Sequence, residues 1–427
     1  MLVCLSKKNR FNIYGVEKNN KLGEKKILSL KEGINPIKSN DVEFNKQFKK
    51  LNKNKNVNFV SNLKNLSEAD IVVVSVGFDF TKSQSLSNLK NLSYEISNNI
   101  NSNALIIFET TLPPGTCDKV IIPIFKSNFK KRNLPISNIN LSYSYERIMP
   151  GKNYLNSITN VSRCYSAMNK NTEKKLIKFF SSFIKINKYP LQKFEKFIEC
   201  ETSKIIENSY RALNIAFIDE WTKFSLRNSL NLNKILRSIR IRKTHNNIMN
   251  TGVGVGGYCL TKDGLFGKIS EKLFHKKIQT KFKLTTEAMK INKEMPNTSI
   301  KFLKDRIKLK NKKILIVGIT YKEDVGDLRS SPILILINKL AKFTKKIYYL
   351  YLFFYKDIKN KKNINKFNNI KSIDTILFCQ KHSQIKKFDY KKFSKKCKFF
   401  DLNHVLDKKL KKQINRKNLY TLGDFTK

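Results

Sequence analysis

The sequence predicts an α/β protein in which two regions with parallel strands flank a central helical region. Short apolar segments followed by helix-compatible stretches occur in the first third of the chain and again in the last third. Such alternation is typical of parallel sheets covered by helices. The stretch from about 194 to 292 lacks these segments and shows helical periodicity instead.

The first α/β region opens with an apolar segment at 12–17 (NIYGVE), which is typical of a buried parallel strand. Residues 21–31 are compatible with a helix. Two further buried strands are predicted at 69–76 (ADIVVVSV) and 104–110 (ALIIFET). The sequence LPPGT follows and predicts a turn into a helix with proline near its start.

The elements of the middle and last regions are likewise predicted from helical periodicity and from short apolar segments. We expect one long core helix over 199–232, where good helix formers and helical periodicity coincide. The segment 312–318 (KKILIVG) opens the last region, with further strands expected at 346–354, 375–379 and 398–402. Residues 356–372, rich in Lys and Asn, are typical of a solvated loop.

The formal net charge of +52 at pH 7 raises nucleic-acid binding as an alternative. The lysines, however, are dispersed from Lys7 to Lys427, with no aromatic-interleaved RNA-binding signature and no zinc-finger spacing. Dispersed charge contributes to solubility and steering rather than forming a site. We therefore expect no nucleic-acid partner, and a basic nucleic-acid-binding protein stays a remote alternative.

Cysteine usage and hydropathy indicate a cytoplasmic protein. The seven cysteines are scattered, odd in number and contain no C-x-x-C pair, which argues against a disulfide framework or a zinc site. No segment approaches the roughly 18 apolar residues of a membrane helix, and the start lacks a signal-peptide layout. We expect no membrane association and no metal.

The segment 252–264 (GVGVGGYCLTKDG) combines glycines with reactive side chains. Cys259 and Asp263 are four residues apart, and Lys262 is adjacent. Glycines allow positive φ and close approach of the backbone to a ligand. A thiol at a glycine turn near a lysine and a carboxylate fits an activated nucleophile. On spacing alone, a small buried cysteine weighs equally.

Four other stretches carry polar side chains at informative positions. Lys204 and Asn208 share one face of the predicted helix, although alone they fit an exposed polar face better. Residues 110–116 (TTLPPGT) follow a predicted strand, where ligand-facing loops of such sheets lie. The segments 145–151 (YERIMPG) and 317–332 (VGITYKEDVGDLRSSP) also follow apolar segments.

Together, and in this order, these five stretches resemble the UDP-glucose/GDP-mannose dehydrogenase family, most closely its UDP-N-acetylglucosamine and UDP-N-acetylmannosamine 6-dehydrogenase branch. The resemblance covers nearly the whole chain. It implies two Rossmann-like domains flanking a central helical dimerisation domain, with boundaries expected at 1–192, 193–297 and 298–427. It also implies a homodimer that oxidises the C6 hydroxymethyl group of a UDP-sugar to a carboxylate with two NAD+, supplying uronic acids for surface polysaccharide.

The resemblance implies a role for each matching residue. Cys259 would hold the aldehyde as a thiohemiacetal and then as a thioester that water hydrolyses. The other implied catalytic residues are Lys204 and Asn208 at the substrate oxygen, Asp263 in proton transfer, Thr111 at the water and nicotinamide, and Glu146 in the sugar pocket. The implied cofactor-binding residues are Glu17, Ser75, Val76, Thr110, Thr111, Lys262 and Arg329. The implied substrate-binding residues are Glu146, Arg147, Lys204, Asn208, Asn250, Gly252, Gly254, Gly256, Tyr321 and Lys322.

The sequence also departs from the family pattern. Tyr258 and Gly264 stand where many members have histidine and proline. Pro150 stands where the glucose-oxidising branch has a second glutamate, so the E-R-x-x-P-G form favours an N-acetylhexosamine substrate. The arginine that crosses to the partner subunit has three candidates, which are Arg242, Lys243 and His245.

The largest departure is at the start of the chain. The family begins with a strand and a G-x-G-x-x-G turn that holds the pyrophosphate, and neither precedes Asn12. Residues 1–8 match the helix that follows the glycines, and Glu17 matches the ribose-binding acid. We expect a first sheet without its initial strand, with the true start upstream or the product truncated. The corresponding alternative function is an NAD-deficient, inactive homologue that still binds UDP-sugar or dimerises.

Overall fold

The computed structural model describes residues 1–6, 11–35, 41–148, 151, 153–275, 280–350, 362–363, 372–383, 385 and 390–426. The chain forms two compact units. Unit 1 comprises Met1–Glu207 and Leu265–Phe282, and unit 2 comprises Asn208–Gly264 and Lys283–Lys427. The three-domain boundaries at 1–192, 193–297 and 298–427 stay a prediction.

The strands of unit 1 form two separate sheets. In the first, β1 (Ile13–Val16) pairs in parallel with β2 (Val57–Val60). The second has the order β3-β4-β5-β6-β7. Its strands are Ile71–Val74, Leu105–Phe108, Asn140–Tyr143, Cys164–Ala167 and Gln192–Lys193. Among the described ladders of this sheet, β5–β6 is antiparallel and the others are parallel. The predicted strands at 12–17, 69–76 and 104–110 are therefore confirmed.

The helices of unit 1 cover these sheets. They are α1 Leu2–Leu5, α2 Lys21–Lys31, α3 Val42–Lys50, α4 Gln84–Asn99, α5 Ile122–Lys131, α6 Asn156–Thr159, α7 Lys170–Ser181 and α10 Phe266–Phe274. The side chain of Asn20 accepts the Gly23 N–H and so caps α2 at its predicted start. A π-helical turn, Cys117–Ile121, leads from the LPPGT turn into α5.

The sheet of the first α/β region is interrupted between β1 and β3. Within the described residues, β1 pairs only with β2, and β3 pairs only with β4. Ile13 of β1 and Val73 of β3 nevertheless pack against one hydrophobic cluster that includes Cys4 and Leu5 of α1. Within the described residues, β1 and β3 therefore each have one edge outside any ladder, and both strands pack on a common core.

Unit 2 contains a six-stranded sheet in which every ladder is parallel. Its order is β10-β9-β8-β11-β12-β13. The strands, from β8 to β13, are Ile314–Val317, Ile347–Leu350, Lys362–Asn363, Thr375–Phe378, Lys398–Asp401 and Leu419–Thr421. The strand order reverses between β8 and β11. In doubly wound sheets, ligands bind outside the carboxyl ends of the strands at such a point.

The helices of unit 2 complete the Rossmann-like layout. They are α9 Leu232–Arg240, α11 Lys283–Lys304, α12 Pro332–Leu340 and α13 Lys408–Lys411. A 31-residue helix, α8 (Phe197–Arg227), contributes residues to both units. Among the described helices, none combines the length and apolar character that crossing a bilayer requires.

Three details of the sequence prediction are corrected. The helix predicted over 199–232 ends at Arg227, because Ser229 adopts a left-handed backbone with φ 55° that interrupts the helix. Lys362 and Asn363, predicted to lie in a solvated loop, form the edge strand β10 beside Tyr348 and Tyr349. The rest of that loop, apart from residue 372, and residues 351–354 of the strand predicted at 346–354, lie outside the described residues.

Candidate active site

Cys259 lies in a closed turn of unit 2. Its side chain is half-buried, whereas the other six cysteines are buried and all seven are free thiols. The backbone N–H groups of Lys262 and Asp263 donate to the Cys259 carbonyl at 3.1 and 2.9 Å, and the Thr261 hydroxyl donates to the Gly257 carbonyl at 2.7 Å. The turn therefore presents one accessible thiol on a defined backbone.

A buried polar cluster surrounds the end of this turn. The Asp263 side chain is fully buried, and its Oδ1 lies 2.6 Å from Nζ of Lys262. Its Oδ2 accepts a hydrogen bond from Nδ2 of Asn208 at 2.8 Å. Lys262 Nζ also lies 4.4 Å from the centroid of the Tyr258 ring. The structure thus brings together Asn208, Lys262 and Asp263, because charge-assisted bonds satisfy both carboxylate oxygens.

The glycines before Cys259 pack closely against the loop that follows β8. A Cβ atom on Gly256 would lie 2.5 Å from Cβ of Tyr321, and one on Gly257 would lie 2.7 Å from the Tyr321 ring. Gly257 has φ 88°, and its N–H donates to the Arg329 carbonyl at 3.1 Å. Packing against Tyr321 therefore explains why glycine occupies positions 256 and 257. Contact of these glycines with a ligand stays a prediction.

The earlier glycines of this segment contact other parts of unit 2. A Cβ atom on Gly252 would lie 2.7 Å from the side chain of Asn403, and one on Gly254 would lie 2.8 Å from Pro332. Thr251, just before them, bonds through Oγ1 to Nε2 of His404 at 2.8 Å and to the Leu422 carbonyl at 3.0 Å. The glycine segment is thus anchored along its length.

The loop after β8 presents the predicted substrate residues. Burial raises the pKa of Tyr321, with the negative charge of Asp327 adding to the effect. Burial also lowers the pKa of Lys322, helped by the positive charge of Arg211. Two neighbouring cations of this kind favour an anionic ligand. The exposed guanidinium of Arg329 bonds the Asp327 carboxylate at 2.7 Å, and its predicted contact with the cofactor stays a prediction.

Arg240 holds the segment before the glycines. Its Nη2 donates to Oδ1 of Asn250 at 2.7 Å and to the Ile248 carbonyl at 2.9 Å. The sequence analysis did not single out this arginine, because nothing in its local pattern marks it. The three candidates for the cross-subunit residue, Arg242, Lys243 and His245, are all exposed, so their burial does not distinguish them.

In unit 1, Lys204 and Glu146 lie together. Nζ of the buried Lys204 donates to the Glu146 carbonyl at 2.9 Å. The Glu146 carboxylate accepts the Ile148 N–H, and burial raises its pKa while the charge of Lys204 lowers it. Arg147 donates to the Tyr145 hydroxyl at 2.8 Å. Pro150, which distinguishes the two substrate branches, lies outside the described residues.

Glu201 holds the loop that carries Thr110 and Thr111. Its fully buried carboxylate accepts the Gly115 N–H at 2.5 Å and the Cys117 N–H at 2.8 Å. Burial raises its pKa to about 7. Glu201 was not among the residues predicted from the sequence, although it is a glutamate about one helical turn before Lys204. Glu201 therefore links α8 to the turn after β4.

Replacing Glu201 by glutamine should change how stability depends on pH. Because the folded-state pKa is raised from 4.5 to about 7, the folded protein binds an extra proton between these values. The stability contributed by this group therefore falls as pH rises through that window. Relative to the parent, the glutamine variant should gain about 1–3 kcal/mol in free energy of unfolding as pH rises from 4.5 to 8. Urea unfolding across pH measures this difference, and a constant difference would contradict the assignment.

Five of the predicted cofactor residues lie after the carboxyl ends of parallel strands in unit 1. Glu17 follows β1, where Nζ of Lys26 bonds its carboxylate at 2.8 Å. Ser75 and Val76 are exposed directly after β3, and the buried Thr110 and half-buried Thr111 follow β4. Ligands of such sheets bind outside the carboxyl ends of the strands, and contact of these residues with the cofactor stays a prediction. The sequence before β1 contains no glycine turn for the pyrophosphate. In the part of the chain that is described, no three His, Cys, Asp or Glu side chains could hold a metal ion.

Comparison with known families gives three consecutive matches. Models of the UDP-glucose/GDP-mannose dehydrogenase family match as its NAD binding domain at residues 1–184, its central domain at 199–294 and its UDP binding domain at 315–408. The two α/β regions and the helical middle therefore correspond to the domains of one family. The Rossmann-like expectation for both α/β regions is confirmed.

Individual relatives point the same way. A UDP-N-acetyl-D-mannosamine dehydrogenase of Methanococcus aeolicus is 31 % identical over 292 residues, which are 67 % of this chain and 60 % of that protein. A UDP-N-acetyl-D-glucosamine 6-dehydrogenase of Salmonella typhi is 24 % identical over 76 % of this chain and 74 % of its own length. The solved structure of the UDP-N-acetyl-mannosamine dehydrogenase Cap5O from Staphylococcus aureus shares the fold, with a TM-score of 0.79, 21 % identity, and coverage of 99 % and 95 % of the two chains.

Proposed function

Because the chain belongs to the UDP-glucose/GDP-mannose dehydrogenase family, we propose that it oxidises the C6 hydroxymethyl group of a UDP-N-acetylhexosamine, or of a UDP-hexose, to the uronate. The observation that carries the proposal is the turn of Cys259. One half-buried thiol stands between a glycine segment packed on the loop after β8 and the buried Asp263 carboxylate. A half-buried thiol on a defined backbone with a carboxylate nearby in sequence supports covalent capture of an aldehyde.

In this mechanism the chain's own residues attack the carbonyl carbon of the substrate and stabilise the charge that develops on its oxygen. The Cys259 thiolate adds to the aldehyde carbon as the carbonyl π bond opens, and the oxygen takes a proton, so the aldehyde is held as a thiohemiacetal. Loss of a hydride from the carbon and of the hydroxyl proton converts the thiohemiacetal to a thioester, and water cleaves it to the carboxylate, the free thiol and a proton. Lys204 and Asn208 would stabilise negative charge on the substrate oxygen. Asp263 would accept and return protons near the thiol, with its orientation held by Lys262.

The cofactor and the sugar pocket complete the proposal. NAD+, when bound, accepts a hydride in each of the two oxidations. Glu17 would hold its ribose, Ser75 and Val76 would line its path, and Thr110 and Thr111 would lie at the nicotinamide. We also propose a cytoplasmic location, since all seven cysteines are free thiols.

The UDP-sugar is assigned to the crevice outside β8 and β11. The order of the sheet reverses there, and Tyr321 and Lys322 lie in the loop that follows β8. The two neighbouring cations Lys322 and Arg211 suit a diphosphate. Glu146 and Arg147 would contact the sugar. The E-R-x-x-P-G form at 146–151 favours an N-acetylhexosamine, and two of the named relatives act on such sugars.

An activity assay with three substrates tests the function. The full chain is mixed with NAD+ and UDP-N-acetylmannosamine, UDP-N-acetylglucosamine or UDP-glucose, and NADH and uronate are both quantified. The proposal expects two NADH for each uronate, with an N-acetylhexosamine preferred. Binding of UDP-sugar without NADH formation would support the second candidate instead.

The second candidate is an inactive homologue that binds UDP-sugar or dimerises without binding NAD. The observation that favours it is the first α/β region, where the described strands β1 and β2 form a sheet separate from β3–β7. Measuring NAD+ and UDP affinities separately by calorimetry distinguishes the candidates. Tight UDP binding together with no detectable NAD+ binding would select this one.

We further propose that a face of α8 forms a homodimer. The side chains of Tyr210, Phe217, Trp221 and Phe224 are 55 %, 50 %, 46 % and 49 % exposed. Their spacing of seven, four and three residues places them on one side of the helix. The Trp221 ring lies 6.4 and 5.5 Å from the rings of Phe217 and Phe224. An exposed aromatic row of this kind is typical of a protein interface.

Replacing Trp221 by glutamate should therefore weaken the dimer. A charge at the centre of an apolar interface loses the aromatic contact and must be desolvated, so the dissociation constant should rise about 100-fold. Analytical ultracentrifugation over a range of concentrations measures this. Glu220→Gln, at the exposed neighbouring position, is the control and should leave the dimer intact. A Trp221→Glu variant that remains as dimeric as the parent would rule out this face.

A further inference from the structure

His382 is a buried residue for which the proposed chemistry has no role. It follows β11 by four residues and is 3 % exposed. It therefore lies beside the point where the order of the six-stranded sheet reverses, opposite the loop that follows β8. A buried histidine at this point raises the question of what its two ring nitrogens contact.

The hydrogen bonds of the ring define its protonation. Nδ1 lies 3.0 Å from the backbone nitrogen of Asp324, which can only donate, so Nδ1 is the acceptor. The proton is then on Nε2, which donates to Oγ1 of Thr320 at 3.1 Å. The Thr320 hydroxyl in turn donates to the Lys322 carbonyl at 2.8 Å. Burial lowers the pKa of His382 to about 4, so the ring is neutral near pH 7.

The same loop is held at a second point. Asp324 has a left-handed backbone with φ 53°, which is uncommon for a residue other than glycine. Its Oδ1 accepts the Ser383 N–H at 2.8 Å and the Ser383 hydroxyl at 3.1 Å. His382 and Ser383 therefore hold both the backbone and the side chain of Asp324. These contacts stabilise a conformation that the free loop would populate rarely.

The held loop carries and supports the candidate site of unit 2. Tyr321 and Lys322 lie between the two residues that His382 bonds. Tyr321 packs on Gly256 and Gly257 so closely that no side chain fits there. Gly257 is two residues before Cys259. A shift of the loop would therefore move both the predicted nucleotide contacts and the backbone that presents the thiol.

We propose that His382 is a positioning residue whose two-sided hydrogen bonding sets the loop 320–324 for nucleotide-sugar binding and for presentation of Cys259. The part that concerns nucleotide-sugar binding rests on the function proposed above. In this role His382 acts on the loop rather than on the reacting atoms. It acts through Thr320 and Asp324, because both of these hydrogen-bond partners lie in the loop.

The test compares two threonine-to-valine substitutions. Thr320 and Thr344 are both buried, and each hydroxyl donates to a carbonyl at 2.8 Å and lies 3.1 Å from one nitrogen. Of these two threonines, Thr320 is the one that contacts His382. Thr344→Val is therefore the matched control for the stability lost when a buried hydroxyl is removed. Thr320→Val should raise the dissociation constant for UDP and the KM for UDP-N-acetylglucosamine about tenfold, with the KM for NAD+ unchanged. Thr344→Val should leave all three values near those of the parent.

A double substitution tests whether His382 acts through Thr320. His382→Ala should weaken UDP binding to a similar extent, and adding Thr320→Val should weaken it little further, since the two residues share one hydrogen bond. Fully additive losses would overturn the assigned route. If His382→Ala fails to fold, the comparison of the two valine variants still decides the proposal.

A second readout does not depend on any ligand. Cys259 is the half-buried cysteine, so its alkylation by iodoacetamide, followed by mass spectrometry, reports how the turn is presented. Thr320→Val should change this rate several-fold, with no change in Thr344→Val. Unchanged alkylation and unchanged UDP affinity would overturn the proposal. A further outcome is that the parent binds neither UDP nor UDP-N-acetylglucosamine while Thr320→Val still changes the alkylation rate. That result would retain the positioning role of His382 and refute the proposed function.

Discussion

Replacing Cys259 by serine is expected to reduce uronate formation by about 1,000-fold or more. A serine hydroxyl is a far weaker nucleophile than a thiolate, so the aldehyde would no longer be captured as the covalent intermediate. The affinity for UDP-sugar should stay within about threefold, because the exchange of sulfur for oxygen leaves the glycine segment unchanged. Uronate yield by chromatography and UDP affinity by calorimetry measure the two effects.

The control for this experiment is a second cysteine of unit 2. Cys397 is buried, and burial raises the pKa of its thiol to about 12, so it is neutral and inert near pH 7. Cys397→Ala should keep its uronate yield. If Cys259→Ser retained the parental rate while folding normally, the covalent mechanism would be wrong.

Replacing Glu201 by alanine is expected to destabilise the protein by about 2–5 kcal/mol. The substitution removes the acceptor for two buried backbone N–H groups, those of Gly115 and Cys117. It should also lower activity, because the loop that carries Thr110 and Thr111 loses its attachment to α8. Urea unfolding at pH 8 measures the loss of stability, and initial rates of NADH formation measure the loss of activity.

Two comparisons define the origin of this effect. Glu201→Gln keeps one carbonyl oxygen and should lose less stability than the alanine variant. Glu220→Ala removes an exposed glutamate from the same helix and should change the free energy of unfolding by less than about 0.5 kcal/mol. Equal losses for the alanine substitutions at 201 and 220 would mean that the Gly115 and Cys117 bonds contribute nothing.

Much of the fold was predictable because buried parallel strands have continuous apolar sequences. The segments ADIVVVSV, ALIIFET and KKILIVG contain β3, β4 and β8. The short strand β10 was missed because Lys362 and Asn363 have no strand pattern, and only their pairing with β9 makes them one. The end of α8 was missed because Ser229 adopts a left-handed backbone conformation, which a serine in the sequence does not predict.

By itself, the sequence determined the order of the α/β and helical regions, the glycine segment before Cys259 and the family, because these depend on local apolar runs and on motif spacing. The tertiary structure decided which polar groups meet. Asn208 bonds Asp263 from 55 residues away, Glu201 bonds Cys117 from 84, and His382 bonds Thr320 from 62. His382 and Thr320 meet because a parallel sheet gathers the ends of its strands at one edge. Asn208 and Glu201 reach their partners because α8 carries them past the Cys259 turn and the turn after β4, where buried polar groups need hydrogen-bond partners.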